Sequence, residues 1–241
     1  QNLREAGVTF CISATATEKN ADILLDDYFY DFFFKEQGAS YMWQFQLMPI
    51  GRGNDIFNLM PSPETRVKLF RKWEYLLKEK QYAVVDFWNS GVLTHGCIAY
   101  GRTHGYAYID WNGNIMPCVF VPYSEDNIYD IYARGGSFAD ALKSDLFVRG
   151  KAWQRSYKPE GNEVPKNLLM PCSIRDHYAN FRENILTSQT KGEDQISEEI
   201  LKDDQYYQKL VEYDKRLHEL TDPIWENEYL TEILKKQTQE Q

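Results

Sequence analysis

Paired cysteines are missing from this chain. Its four cysteines stand alone in 241 residues, so the Cys-x2–4-Cys knuckles of small zinc modules are absent. A phosphate loop is missing too: Pro49-Ile-Gly-Arg-Gly53 lacks the Gly-Lys-Ser/Thr ending and its spacing. No apolar run approaches the roughly 20 residues that span a bilayer. Positive charge is in deficit, with 27 Lys and Arg against 36 Asp and Glu, a net charge of -9. That balance argues against a nucleic-acid backbone or an anionic membrane as partner. Structural disulfides are not needed by a chain this long with 43% hydrophobic residues. The chain opens Gln1-Asn-Leu-Arg-Glu-Ala-Gly without Met and runs at once into a strand, which reads as a fragment lacking its N-terminal part.

The first third reads as strand, helix, strand, helix, strand. Val8-Thr-Phe-Cys-Ile-Ser13 is an apolar strand, in which Cys11 is a small core hydrophobe. Asn20 is placed to cap a helix over 21–37, with Ile23, Leu24, Tyr28, Phe32 and Phe33 at helical spacing and Gly38 at its end. This spacing makes the aromatic run 28–34 core. Residues 41–49 form the second strand, Ser62-Pro63 opens a helix to about Lys80 through Val67, Phe70, Trp73 and Leu77, and 82–87 form the third strand. Such alternation predicts parallel strands with right-handed crossovers. Beyond Trp88 the helical period fades and Gly, Pro and Tyr rise. Asn112-Gly113 between alternating residues predicts a type I′ hairpin. Ser137 is placed to cap a short helix to about Asp145, and a helix around 196–219 lies in a polar tail whose acidic stretch 193–204 reads as a solvated face.

Chemistry concentrates on three cysteines: Cys97 in His95-Gly-Cys97, Cys118 in Gly113-Asn-Ile-Met-Pro-Cys118, and Cys172 in Met170-Pro-Cys172. Fifteen residues separate Cys97 from Gly113, and four separate Gly113 from Cys118. Thiolates are soft, charged ligands, so a soft metal is the natural occupant. Isolated cysteines brought together from distant loops favour an iron–sulfur cluster over zinc, and a reducing, cytoplasmic location. Disulfides or inert thiols are the plainer alternatives.

Cys97, then Gly113 and Cys118, then a later Pro-Cys172 resemble the start of the SPASM or twitch auxiliary-cluster module of radical SAM enzymes. The preceding half resembles the end of the radical SAM partial barrel. Val8–Asn20 is similar to its fifth strand and following turn, and Tyr41–Arg52 to its sixth. The resemblance covers roughly residues 1–182. It implies an α/β fold: the C-terminal part of a (β/α)6-type partial TIM barrel over 1–87, a small α+β SPASM/twitch-like module over 88–182, and a helical extension over 183–241. It implies a 4Fe-4S auxiliary cluster on Cys97, Cys118 and Cys172, whose fourth iron is open or held by His177 or Cys11. It also implies S-adenosyl-L-methionine near Ser13, Thr15, Pro49, Ile50 and Gly51, because function collects at strand ends in such barrels; turn chemistry is the simpler role for Ser13 and Thr15. The Cys-x3-Cys-x2-Cys loop that carries the SAM-cleaving 4Fe-4S cluster is absent, so this chain alone is not expected to cleave SAM.

The full-length parent would then abstract hydrogen from a peptide or small-molecule substrate with a deoxyadenosyl radical, using an external electron donor. The rival expectation is a non-catalytic iron–sulfur or zinc module with a redox or scaffold role. Arg52, Arg102, His95, His104 and His177 are candidates to anchor a substrate carboxylate or relay a proton. Arg175-Asp176 reads as the opening of a surface helix.

Overall fold

Three short strands pair in parallel, β1 (Cys11–Ala16), β2 (Tyr41–Gln46) and β3 (Val84–Asp86), in the order β1-β2-β3. The computed structural model describes residues 2–87, 90–158 and 163–233, without the side chains of 52–54. The fold is mixed α/β. It divides into two units, Gln1–Pro49 with Ile56–Ser90, and Ile50–Asp55 with Gly91–Gln241. Among the described residues no helix is long and apolar enough to cross a membrane. Trp88 and Asn89, where the sequence changes character, lie outside the described residues.

In the first unit the period-two alternation of the strands separates two faces. Ala16, Met42, Gln44, Gln46, Val84 and Asp86 are buried. Cys11, Ser13, Thr15, Tyr41, Trp43 and Val85 are exposed on the other face. Right-handed crossovers between consecutive neighbours carry their helices to one face. Accordingly Leu24 of α1 (Ala21–Leu25) and Leu69 of α3 (Pro63–Lys78) both pack against Ala16. From α2 (Asp27–Asp31), the Tyr30 hydroxyl reaches the Leu24 carbonyl and Gln44 Oε1, each at 2.9 Å. Asp86, fully buried, accepts from Gln44 Nε2 at 3.1 Å and Gln46 Nε2 at 3.3 Å. A carboxylate removed from water needs such donors.

Several expectations are corrected here. The first strand begins at Cys11 rather than Val8, and Cys11 is exposed at the start of an edge strand, beside the Tyr41 hydroxyl, rather than in a core. The 21–37 helix is broken. Asp26 leaves the helical region (φ -83, ψ 137) and accepts the Tyr28 N–H at 2.9 Å, so its side chain starts a second helix instead of continuing the first. Asn20 makes no side-chain cap and accepts the Thr17 N–H instead. The break turns Ile23 and Tyr28 to solvent and leaves Tyr30 as the buried aromatic of the run. Ser62 does cap α3, accepting the Thr65 N–H at 3.2 Å. The buried face of α3 carries Leu69, Phe70, Trp73 and Leu76; Val67 and Leu77 sit at its margin.

The second unit is built mainly of loops and helices. β4 (Tyr108–Ile109), β5 (Asn114–Met116) and β7 (Asp126–Asn127) form one small antiparallel sheet, and β6 (Tyr123–Ser124) pairs with β8 (Lys191–Gly192). The hairpin is present, but its turn is not type I′: Asn112 has no positive φ, whereas Gly113 has φ +85. Asp110 explains the change. Its carbonyl takes the Gly113 N–H and its carboxylate takes the Asn114 N–H, which moves the turn upstream to Asp110–Gly113. Past the short Ser137 turn, the sequence reading missed α4 (Asp145–Tyr157). The tail helix is two pieces, Gln195–Ile200 and α5 (Asp204–Ile224), started by Asp194 and Asp203, whose carboxylates accept first-turn N–H groups. These acids of the 193–204 stretch are therefore helix caps rather than a uniform solvated face. Asp214 of α5 accepts the Tyr178 N–H at 2.7 Å, which ties α5 to the segment after Cys172.

Replacing Tyr30 with Phe removes a hydroxyl that joins α1 to β2 and leaves buried acceptors short of a donor. We expect a loss of about 1–3 kcal/mol in urea unfolding. An unchanged midpoint would mean that this bond does not organise the helix-covered face.

Candidate functional site

Three loops of the second unit carry Cys97, Cys118 and Cys172. One sulfur has a main-chain donor in hydrogen-bond range: the Phe120 amide stands 3.4 Å from Cys118 Sγ. The backbones of Ala99 and Ser173 favour the charged form of Cys97, and that of Arg175 the charged form of Cys172. Amides directed at sulfur favour the thiolate and tune any bound iron–sulfur group. The Tyr106 hydroxyl stands 2.7 Å from Cys118 Sγ.

Cys97 is the thiol whose charge reaches the other two. Cys97 raises the pKa of both Cys118 and Cys172. Tyr100, fully buried, senses the charge of all three and hydrogen-bonds Ser173 Oγ at 2.8 Å. Burial is the largest influence on each cysteine. It pushes Cys97 and Cys172 up and carries Cys118 to about 12. Left alone, the thiols stay protonated at neutral pH; cation binding reverses this by displacing the protons.

Tyr100 is the residue that sequence reasoning missed. Its backbone is left-handed (φ 61), unusual for a bulky residue. Its ring fills the space that Gly150 leaves in α4, where an added Cβ would lie 2.0 Å from the ring. A lone glycine inside an otherwise regular helix was the available signal. Arg175 and Asp176 were also misread. They form a fully buried pair, Arg175 Nε to Asp176 Oδ1 at 3.0 Å, and Asp176 Oδ2 accepts the Cys172 N–H at 3.0 Å. This contact fixes the loop that presents Cys172.

The remaining candidates are placed as follows. His177 directs Nε2 to the Met170 carbonyl at 2.9 Å, and its ring packs with Trp153, Tyr157 and His218. Cys11 belongs to the first unit. Ser13 and Thr15 lie within β1 rather than beyond its end, on the exposed face, in register with Trp43 and Phe45. Pro49 is buried at the end of the first unit's 1–49 segment, and Ile50 and Gly51 (φ +53) open the 50–55 segment assigned to the second. His95, His104 and Arg102 line a pocket described below. The Arg52 side chain lies outside the described residues.

Among the described residues, no three His, Cys, Asp or Glu side chains stand as a ready-made set for a metal ion. What the cysteines supply is three thiols whose charges interact, Cys118 buried and Cys97 and Cys172 half-buried. No protein-family model, curated protein or solved structure matches this chain.

Thiol chemistry tests this arrangement. In metal-free protein at pH 8, we expect a disulfide reagent to modify one thiol per chain rapidly, at exposed Cys11. The other three should react only on unfolding or in strong alkali, because the thiolate is the reactive form. Rapid reaction of Cys118 in the native protein would contradict its burial.

Proposed function

We propose that this chain is the C-terminal part of a radical SAM enzyme and holds an auxiliary 4Fe-4S cluster on Cys97, Cys118 and Cys172. The observation that supports the reading is that three cysteines far apart in sequence all act electrostatically on the buried Tyr100, and that the Phe120 amide is directed at Cys118 Sγ. Bound there, a cluster would supply one-electron chemistry. The residues around it act on its ligands: the backbones of Ala99, Phe120 and Arg175 stabilise charge on sulfur, Tyr106 donates to Cys118, and burial excludes water. With three cysteines the site is short of a fourth sulfur ligand, so the fourth iron is open on this reading.

The first unit supports the same reading in a different way. Consecutive parallel strands with helices on one face are what a segment of a (β/α) barrel looks like, and the opposite face would then line the barrel interior. On that face Ser13 and Thr15 stand beside Trp43 and Phe45. Polar hydroxyls next to aromatic rings suit the ribose and adenine of S-adenosyl-L-methionine, with Pro49 supplying backbone atoms beyond the end of the second strand. The parent enzyme would abstract hydrogen from a peptide or small molecule in the cytoplasm, with an external electron donor.

Anaerobic treatment with ferrous iron and sulfide should load about four irons per chain and give a brown charge-transfer absorption. Cys118→Ala or Cys172→Ala should abolish the colour, and Cys11→Ala should keep it. Stoichiometric zinc without iron uptake would overturn the cluster. The DNA immediately upstream of the Gln1 codon should encode Cys-x3-Cys-x2-Cys; an upstream reading frame without it would overturn the radical SAM assignment and leave the cluster site standing.

A further inference from the structure

Cations gather in one depression of this acidic chain. A pocket of about 540 Å³ in the second unit is lined by Arg102, Lys151, Arg155 and Lys158, together with His95 and His104. No carboxylate is among its described lining residues, although acids outnumber bases over the whole chain. Two elements build it. α4 presents Lys151 and Arg155 at positions i and i+4 on one helix face, and Lys158 follows at its C-cap, where the backbone leaves the helical region (φ -128, ψ 86). The loop after Cys97 presents Arg102.

This arrangement is costly for a structural role. Like charges at i, i+4 destabilise a helix, and Lys151 is pushed below its ordinary pKa by burial and by Arg155. Arg102 is held rigidly, its guanidinium donating to the carbonyls of Thr94 and His95. Polar capacity is left over in the wall. Arg102 Nε, a charged donor, is buried without a hydrogen-bond partner. Buried polar atoms without partners are rare and point to a missing one. His95 and His104 flank the pocket with left-handed backbones (φ 54 and 60), a conformation that side chains other than glycine adopt at a cost.

We propose that this pocket binds a small phosphoryl-bearing anion, with Arg102, Lys151, Arg155 and Lys158 supplying the charge. The fork of Arg102 is engaged by backbone carbonyls, so a two-pronged clamp on a carboxylate is not its role. Lysines act as point charges and suit a compact anion of charge -2 or more. The volume fits a small ligand. The inference rests on the pocket alone and stands apart from the cluster reading.

Calorimetric titration of the full chain with pyrophosphate tests it, at about 0.05 M salt to limit screening. Saturable binding of one pyrophosphate per chain is expected. The double variant Arg155→Gln, Lys158→Gln should weaken it about tenfold or more, with an unchanged circular dichroism spectrum; Arg155 is exposed and Lys158 lies just past the end of the helix. Citrate at matched ionic strength should bind at least about tenfold more weakly. No saturable pyrophosphate binding, undiminished binding by the folded double variant, or equal binding of citrate would each overturn the phosphoryl assignment.

Discussion

Holding three thiols partly or wholly out of water, Cys118 buried and Cys97 and Cys172 half-buried, is the constraint around which much of the second unit is arranged. A buried thiol resists ionisation, and a second nearby resists it more, because each thiolate would repel the next. Cys97, Cys118 and Cys172 are in that position, and Tyr100 shares their neighbourhood. Much of the unit's irregular backbone serves this convergence. Tyr100 takes a left-handed backbone, α4 gives up a side chain at Gly150 to admit its ring, and Arg175 and Asp176 are buried as a pair to hold the loop of Cys172. Breaking a buried ion pair costs about 3–5 kcal/mol, so this loop is firmly set. The Phe120 amide and the Tyr106 hydroxyl beside Cys118 Sγ are of use chiefly when the sulfur is charged. A cation that displaces the protons reconciles burial with those donors.

The first unit answers to a different constraint. Right-handed crossovers between consecutive neighbouring strands place α1 and α3 on one side of a parallel sheet, which leaves the other side without helices from the described residues of this unit. The covered side is tied together by polar contacts, with Asp86 taking both Gln44 and Gln46. On the uncovered side Trp43, Phe45 and Phe87 pack against one another beside the hydroxyls of β1. A face of this composition has the character of a binding wall.

Legibility in the sequence followed the range of the interactions involved. The order strand, helix, strand, helix, strand was readable, because apolar periodicity and the Ser62-Pro63 start are local signals. The break at Asp26 was not, since it turns on whether one carboxylate caps a new helix or rides on the old one. The hairpin was readable from Asn112-Gly113, but its turn type depended on Asp110, two residues before that pair. The three cysteines stood out by their settings. Tyr100 did not, because its importance comes from contacts with residues distant in sequence. The Arg175–Asp176 pair was taken for surface because charge alone does not reveal burial. The cationic pocket was only partly visible: Arg102, His95 and His104 drew notice, while the helix that completes the wall went unrecognised.

Iron K-edge X-ray absorption of the anaerobically reconstituted chain tests the central claim most directly, because it reports what surrounds the metal. The account predicts a sulfur-dominated first shell with strong iron–iron scattering, both lost in the Cys97→Ser, Cys118→Ser, Cys172→Ser variant. Iron in an oxygen and nitrogen shell without iron–iron scattering, or a spectrum unchanged in that variant, would contradict it.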